Sequence, residues 1–178
     1  SDWSSDVCSS DLKATEKDAS VIINIGRKSF IETHQTSAPE KIINSYLNDK
    51  LSLAIVTDEL SDSSNHFYLI YYKDKIAGYS KIIFNSTHPN INTENITKLE
   101  RLYLLQEFYD YKLGYHLFQF NLALSKKNKQ NGMWLFVWIE NKRAINFYKK
   151  TDFKIIGEHD FALSKNHSNL NHQMLLTY

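Results

Sequence analysis

The apolar positions along the chain fall into segments of two different periods. From Thr15 onward, Val21, Ile22, Ile25 and Phe30 recur at the spacing of an amphipathic helix, and Thr15 with Asp18 three residues on supplies a starting pair. The pattern predicts a helix to about Thr33, preceded by a strand remnant at residues 13–15. Pro39 suits the first turn of a second helix running through Leu47, and a third, shorter one covers residues 51–60. The period then changes to that of strands. Residues 66–72 and 76–84 are rich in aromatic and β-branched side chains and flank a Lys-Asp-Lys turn, which predicts a hairpin. A polar loop over residues 85–97 leads to a strand at 98–105, after which Leu113, Leu117, Phe120 and Leu124 return to helical spacing. The continuous apolar run at 133–139 has the length of a strand buried on both faces, in the middle of a sheet. A second amphipathic helix at 141–150 carries Ala144, Phe147 and Tyr148 on one face. Strands at 153–163 and 172–178, joined by the polar loop 164–171, finish the chain.

Helices first, then a hairpin, then strand, helix, strand, helix, strand, strand is a mixed α/β plan. Residues 13–178 have the size of one domain. Residues 1–12, SDWSSDVCSSDL, have no period and a different composition, and are expected to be a leader foreign to the native chain. Removing Asp2, Asp6 and Asp11 with it moves the formal charge from +1 to +4.

Cys8 is the only cysteine, so the rest of the chain has no disulfide framework, no cysteine-ligated zinc and no thiol nucleophile. His159, His167 and His172 lack metal-ligand spacing, and no metal is expected. No apolar run approaches the roughly 20 residues of a membrane span. The expectation is a soluble, cytoplasmic protein with neither a membrane nor a nucleic acid as partner. Lys126, Lys127 and Lys129 close a helix, where cations suit the negative end of the dipole. Strand edges at the C terminus suit a homodimer.

The chemistry points to residues 99–120. There a strand passes through a polar, aromatic loop into a helix at Gly114, and the unpaired N–H groups of a helix start hold phosphates. Tyr109, Tyr111, Lys112, Leu113, Gly114 and Tyr115 are the candidate contacts, the backbone from Tyr111 onward cradling the phosphates and Lys112 adding charge.

With the segment NKRAINFYKKTDF at 141–153, this order resembles the GCN5-related N-acetyltransferase (GNAT) superfamily over nearly everything after the leader. The family's second motif is matched by Asn141, Ala144, Phe147, Tyr148 and Phe153, with Asp152 in place of the usual glycine. Its first motif, a glutamine or arginine, two residues, glycine, one residue, then glycine or alanine, is degraded. Tyr109 stands at the opening polar position and Lys112 at the middle glycine, leaving only Gly114. The closing segment and FIETH at 30–34 are similar to the bacterial polyamine-acetylating branch.

The resemblance implies a mostly antiparallel twisted sheet of about six or seven strands, with helices on both faces and two strands splayed at a coenzyme A site. It implies acetyl-CoA as cofactor and direct transfer of the acetyl group to the amine of a small-molecule acceptor, with a polyamine as candidate. Backbone at Leu104 and Leu105 would contact the cofactor, Asn141 would orient it, and Tyr148 would give a proton to the leaving thiolate. The base is open: Glu100, taken by strand alternation to share a face with Leu102 and Leu104, stands first, with Glu32 and His34 behind it. Phe30, Glu32, His34 and Trp138 are the candidate acceptor-binding residues. The degraded loop keeps a second reading open, a CoA-binding regulatory protein with the same fold and little activity.

Overall fold

The computed structural model describes residues 12–178. Most of the expected leader, residues 1–11, lies outside them. Leu12 opens β1 (Leu12–Lys13) and pairs with Leu69.

A single 3₁₀ turn (Glu16–Asp18) leads into α1 (Ala19–His34), and the Thr15 N–H donates to the Asp18 carboxylate at 2.8 Å. The buried side of α1 is Ala19, Ile22, Ile25, Gly26 and Ser29, while Val21 and Phe30 are only half-buried. The expected face is turned because small residues let the helix approach its neighbours. A Cβ on Gly26 would stand 3.0 Å from Leu51 Cδ1 and 3.1 Å from the Tyr79 hydroxyl. α2 (Glu40–Lys50) has Pro39 at its N-cap rather than in its first turn. α3 (Leu53–Ser61) is capped by Ser52, whose Oγ accepts from the Ile55 N–H at 3.3 Å.

β2 (Asn65–Tyr72) and β3 (Lys75–Ile83) form the hairpin around Lys73 and Asp74, both at positive φ (47° and 65°), as a two-residue primed turn demands. Then follow β4 (Thr97–Leu104), α4 (Leu113–Lys127), β5 (Gly132–Trp138), α5 (Lys142–Lys150), β6 (Lys154–Ala162) and β7 (Ser168–Thr177). β7 starts at Ser168 rather than at His172, so the predicted loop shortens to a tight turn. Asn169, Leu170 and Asn171 belong to the strand because they pair with Phe161, Asp160 and His159 of β6.

The seven strands lie in the order β1-β2-β3-β4-β5-β7-β6, and only β4 and β5 run parallel. α1 and α3 cover one face, reaching it through the Gly26–Tyr79 approach and the pairing of Glu59 with Lys81 and Arg101. α4 and α5 cover the other, where Phe118, Ile145 and Tyr148 pack with Leu99, Met133, Leu135 and Val137. Beside β5 the first face has a cover that its polarity concealed. The 85–97 loop buries Ile91 and Ile96 against Trp134, whose indole N–H donates to the Ser86 carbonyl at 2.7 Å.

Candidate active site

β4 and β5 meet through two residue pairs, Thr97 with Met133 and Lys98 with Trp134. Beyond them β4 follows β3 and β5 follows β7, so the two strands part and a wedge opens toward their C-terminal ends. The separation coincides with a bulge in β4, where Lys81 pairs with Arg101 but Ile82 with Leu99, leaving Glu100 as the extra residue.

That bulge corrects the alternation expected for Glu100. Its side chain turns to the face of Lys81 and Arg101, opposite that of Leu102 and Leu104. The Lys81 ammonium donates at 2.8 Å to both Glu100 and Glu59, and Arg101 reaches Glu59 at 3.1 Å. Burial alone would raise the pKa of Glu100, but Lys81, Arg101 and Lys98 together hold it below the ordinary carboxylate value. A carboxylate so held is a poor proton acceptor.

At the mouth of the wedge a 3₁₀ helix (Gln106–Tyr111) replaces the open loop expected from the sequence. Lys112 then turns the chain at φ 56° and ψ 25°, the left-handed conformation, at the position where the family pattern has glycine. Asp152, which replaces the glycine of the second motif, has φ 72°. Both departures therefore keep a backbone that glycine would adopt without strain.

Helical bonding in α4 starts with the His116 N–H to the Lys112 carbonyl at 3.1 Å, so the N–H groups before it point out of the helix start. A Cβ on Gly114 would meet nothing closer than Leu104 Cδ2 at 3.9 Å, so there is open space beside the wedge. A phosphate-bearing thioester cofactor fits this arrangement: donors at the helix start, room at Gly114, and a slot between two strands.

Leu113 is buried, whereas Tyr111 and Tyr115 are exposed; Tyr111 stacks on Tyr72 at 4.2 Å, and Tyr115 meets the Phe147 ring of α5 edge-on. Leu104 ends β4 at the wedge. The Leu105 N–H is already taken by the Ala77 carbonyl at 2.9 Å and its carbonyl by the Phe108 N–H, so its backbone is closed to a ligand. Asn141 caps α5, its Oδ1 accepting from the Ala144 N–H at 3.2 Å. Tyr148 is 8% exposed, packed against Phe147 and Phe153, and its hydroxyl makes no hydrogen bond to a described residue. Burial, and to a smaller extent Tyr103, raises its pKa, so it stays a protonated phenol.

Three of the four expected acceptor residues come together. Trp138, His34 and Phe30 stack in sequence at 4.7 and 4.2 Å, and Tyr46 of α2 continues the column at 5.3 Å from Phe30. Asn169 of β7 donates its amide to His34 Nδ1 at 3.3 Å. Burial lowers the pKa of His34 to about 4, so the ring is neutral at physiological pH. Glu32 stands apart and accepts from the Gln106 N–H at 3.2 Å, bracing the mouth of the wedge. Sequence reasoning missed Tyr46, Asn169 and Arg101. None sits in a motif, and each is brought in by tertiary contact.

A mixed sheet with one parallel seam, a splayed pair of strands, a helix start aimed at the opening and a buried phenol beyond it defines an acyl-CoA-dependent transferase. The comparisons agree. Residues 22–153 match the acetyltransferase (GNAT) family, and the chain belongs to it. An uncharacterized N-acetyltransferase of Lactobacillus delbrueckii subsp. lactis is 28% identical over 85% of this chain and 88% of its own length. One from Mycobacterium tuberculosis is 30% identical over 74% and 80%. Among solved structures, the PaiA N-acetyltransferase of Thermoplasma acidophilum in complex with coenzyme A superposes with a TM-score of 0.74 at 21% identity, covering 98% of this chain and 100% of that one. A GCN5-related N-acetyltransferase of Rhodopseudomonas palustris gives 0.74 at 12% identity, over 98% and 97%. The protein is an N-acetyltransferase that uses acetyl-CoA.

Proposed function

We propose that the acetyl acceptor is the primary amine of a small molecule, with a polyamine as first candidate, and that the acetyl group passes to it directly with no acyl-enzyme. The observation that carries the acceptor site is the contact between His34 and Asn169. It joins the two segments, FIETH and the chain's closing stretch, on which the resemblance to the bacterial polyamine branch rests. The cofactor supplies the activated acetyl thioester. Tyr148, protonated and with a hydroxyl that bonds to no described residue, gives its proton to the departing sulfur. Leu104 offers backbone to the cofactor at the wedge, and the helix start at Leu113 to Tyr115 holds its phosphates. Phe30, His34 and Trp138 form the wall against which the acceptor docks.

With Glu100 tied to Lys81 and burial leaving His34 a weak base, deprotonation of the amine falls to solvent and the acceptor enters as free amine. The reading carries with it an enzyme working where acetyl-CoA is made, in the cytoplasm. It also carries a homodimer through the free edge of β6, which light scattering would register as twice the chain mass.

Single-turnover acetylation of an amine panel that includes spermidine, followed by thiol release, tests the function. Acetylated spermidine is the expected product, and its absence beside turnover of other amines would move the acceptor out of the polyamine class. The kcat/KM for the amine should climb steadily toward the amine's own pKa of about 10.4, with no inflection from a carboxylate or an imidazole.

A further inference from the structure

Arg143 is unexplained by the mechanism. It lies in the first turn of α5 beside Lys142, with no acidic residue in that turn, so two cations occupy the positive end of a helix dipole. Helix stability alone would not favour them there. Its guanidinium carbon lies 3.5 Å from the centroid of the Tyr109 ring, a close cation–π stack that crosses from α5 to the 3₁₀ helix at the wedge mouth. Tyr109 occupies the opening position of the first motif, where the family pattern has arginine or glutamine. The polar group missing from that position is thus present in space, delivered from a different helix and laid flat on the residue that replaced it. The neighbouring contact of Tyr115 with Phe147 shows that the first turn of α4 and α5 flank the same opening.

We infer that Arg143, held on the Tyr109 ring, is the cationic contact for the pyrophosphate of coenzyme A in this chain. A guanidinium offers several N–H donors in one plane, so it can bind phosphate oxygens while its face stays on the ring. The inference rests on the acetyl-CoA reading, and the measurements separate the two.

Calorimetric titration of the protein with coenzyme A and with 3′-dephospho-coenzyme A gives the readout. Arg143→Gln should weaken both ligands by about tenfold, the loss expected for one charge-assisted contact. Its melting temperature should hold or rise, because a cation leaves the dipole's positive end. Tyr109→Ala, which removes the ring beneath the guanidinium, should lose part of the affinity for both ligands. A loss seen with coenzyme A but not with the 3′-dephospho form would assign Arg143 to the 3′-phosphate and overturn the pyrophosphate assignment. Unchanged affinity for both would overturn the inference altogether. Failure of the parent protein to bind either ligand would instead sink the acetyl-CoA reading.

Discussion

Lys112 and Asp152 stand where the family pattern has glycine, and both carry positive φ, 56° and 72°. An L side chain in that region costs roughly 1–2 kcal/mol, and glycine gives back part of that difference through its freer unfolded state. Asp152→Gly should therefore raise the unfolding free energy by about 0.5 kcal/mol net. Lys112→Gly should do the same while weakening acetyl-CoA binding, because the ammonium beside the helix start is lost. Urea denaturation with and without cofactor checks both. The outcome separates backbone geometry, which the chain has preserved, from charge, which it has added. Tyr148 is tested at the same scale. Tyr148→Phe keeps the ring contacts with Phe147 and Phe153 but removes the proton, so kcat should fall about 100-fold with little change in the dissociation constant of acetyl-CoA. Unchanged turnover at saturating substrate would take Tyr148 out of the chemistry.

Among the elements, β4 is the one on which the site depends most. It is pressed against β3 at Gly78, where a Cβ would run into the Tyr103 carbonyl and come within 3.1 Å of the Leu104 Cα. Gly78→Ala must push the C-terminal half of β4 toward the wedge. We expect a loss of about 1–3 kcal/mol in stability and a weaker affinity for coenzyme A, measured by thermal unfolding and calorimetry. A variant with normal affinity would mean that β4 does not set the width of the slot.

The elements themselves were largely legible in the chain, because long periodic segments such as residues 113–124 and 133–139 declare their type. Two features were not. The bulge at Glu100 shifts the alternation within a strand whose composition gives no sign of it, so a carboxylate expected on the Leu102 face is drawn into an ion-pair cluster with Lys81 and Arg101. The start of β7 was hidden because Asn169 and Asn171 look like loop residues; they lie on a strand because β6 pairs them and His34 meets the amide of Asn169. Phe30, His34 and Trp138 could be nominated from sequence, but Tyr46, which completes their column, could not, since only the packing of α1 against α2 brings it there.

For the whole molecule, the groups buried around the acceptor side make the fold sensitive to acid. His34 has its pKa depressed to about 4, against about 6.5 in an unfolded chain. Between those values the unfolded state binds more protons than the folded one, so stability rises with pH across the window and is lost as pH falls from about 6.5 toward 4. Glu100, also depressed, acts in the same direction at lower pH: its contribution is present above the unfolded carboxylate value and fades as pH drops through the folded one. Chemical denaturation across pH 4 to 7 should show a stability loss of up to about 3 kcal/mol from the imidazole. His34→Phe, which keeps a stacking ring, should flatten the slope above pH 5. A slope unaltered in that variant would place the acid sensitivity elsewhere.

The parallel seam has a mechanical consequence. Two residue pairs are all that stitch β4 to β5, with the helices and the 85–97 loop as the remaining brace. The protein is in effect two plates clasped at one edge, and whatever fills the gap grips both. Loading with acetyl-CoA should stiffen the molecule across that line more than anywhere else. Amide exchange in β4 and β5 should slow on loading, while exchange within the β2–β3 hairpin stays as it was.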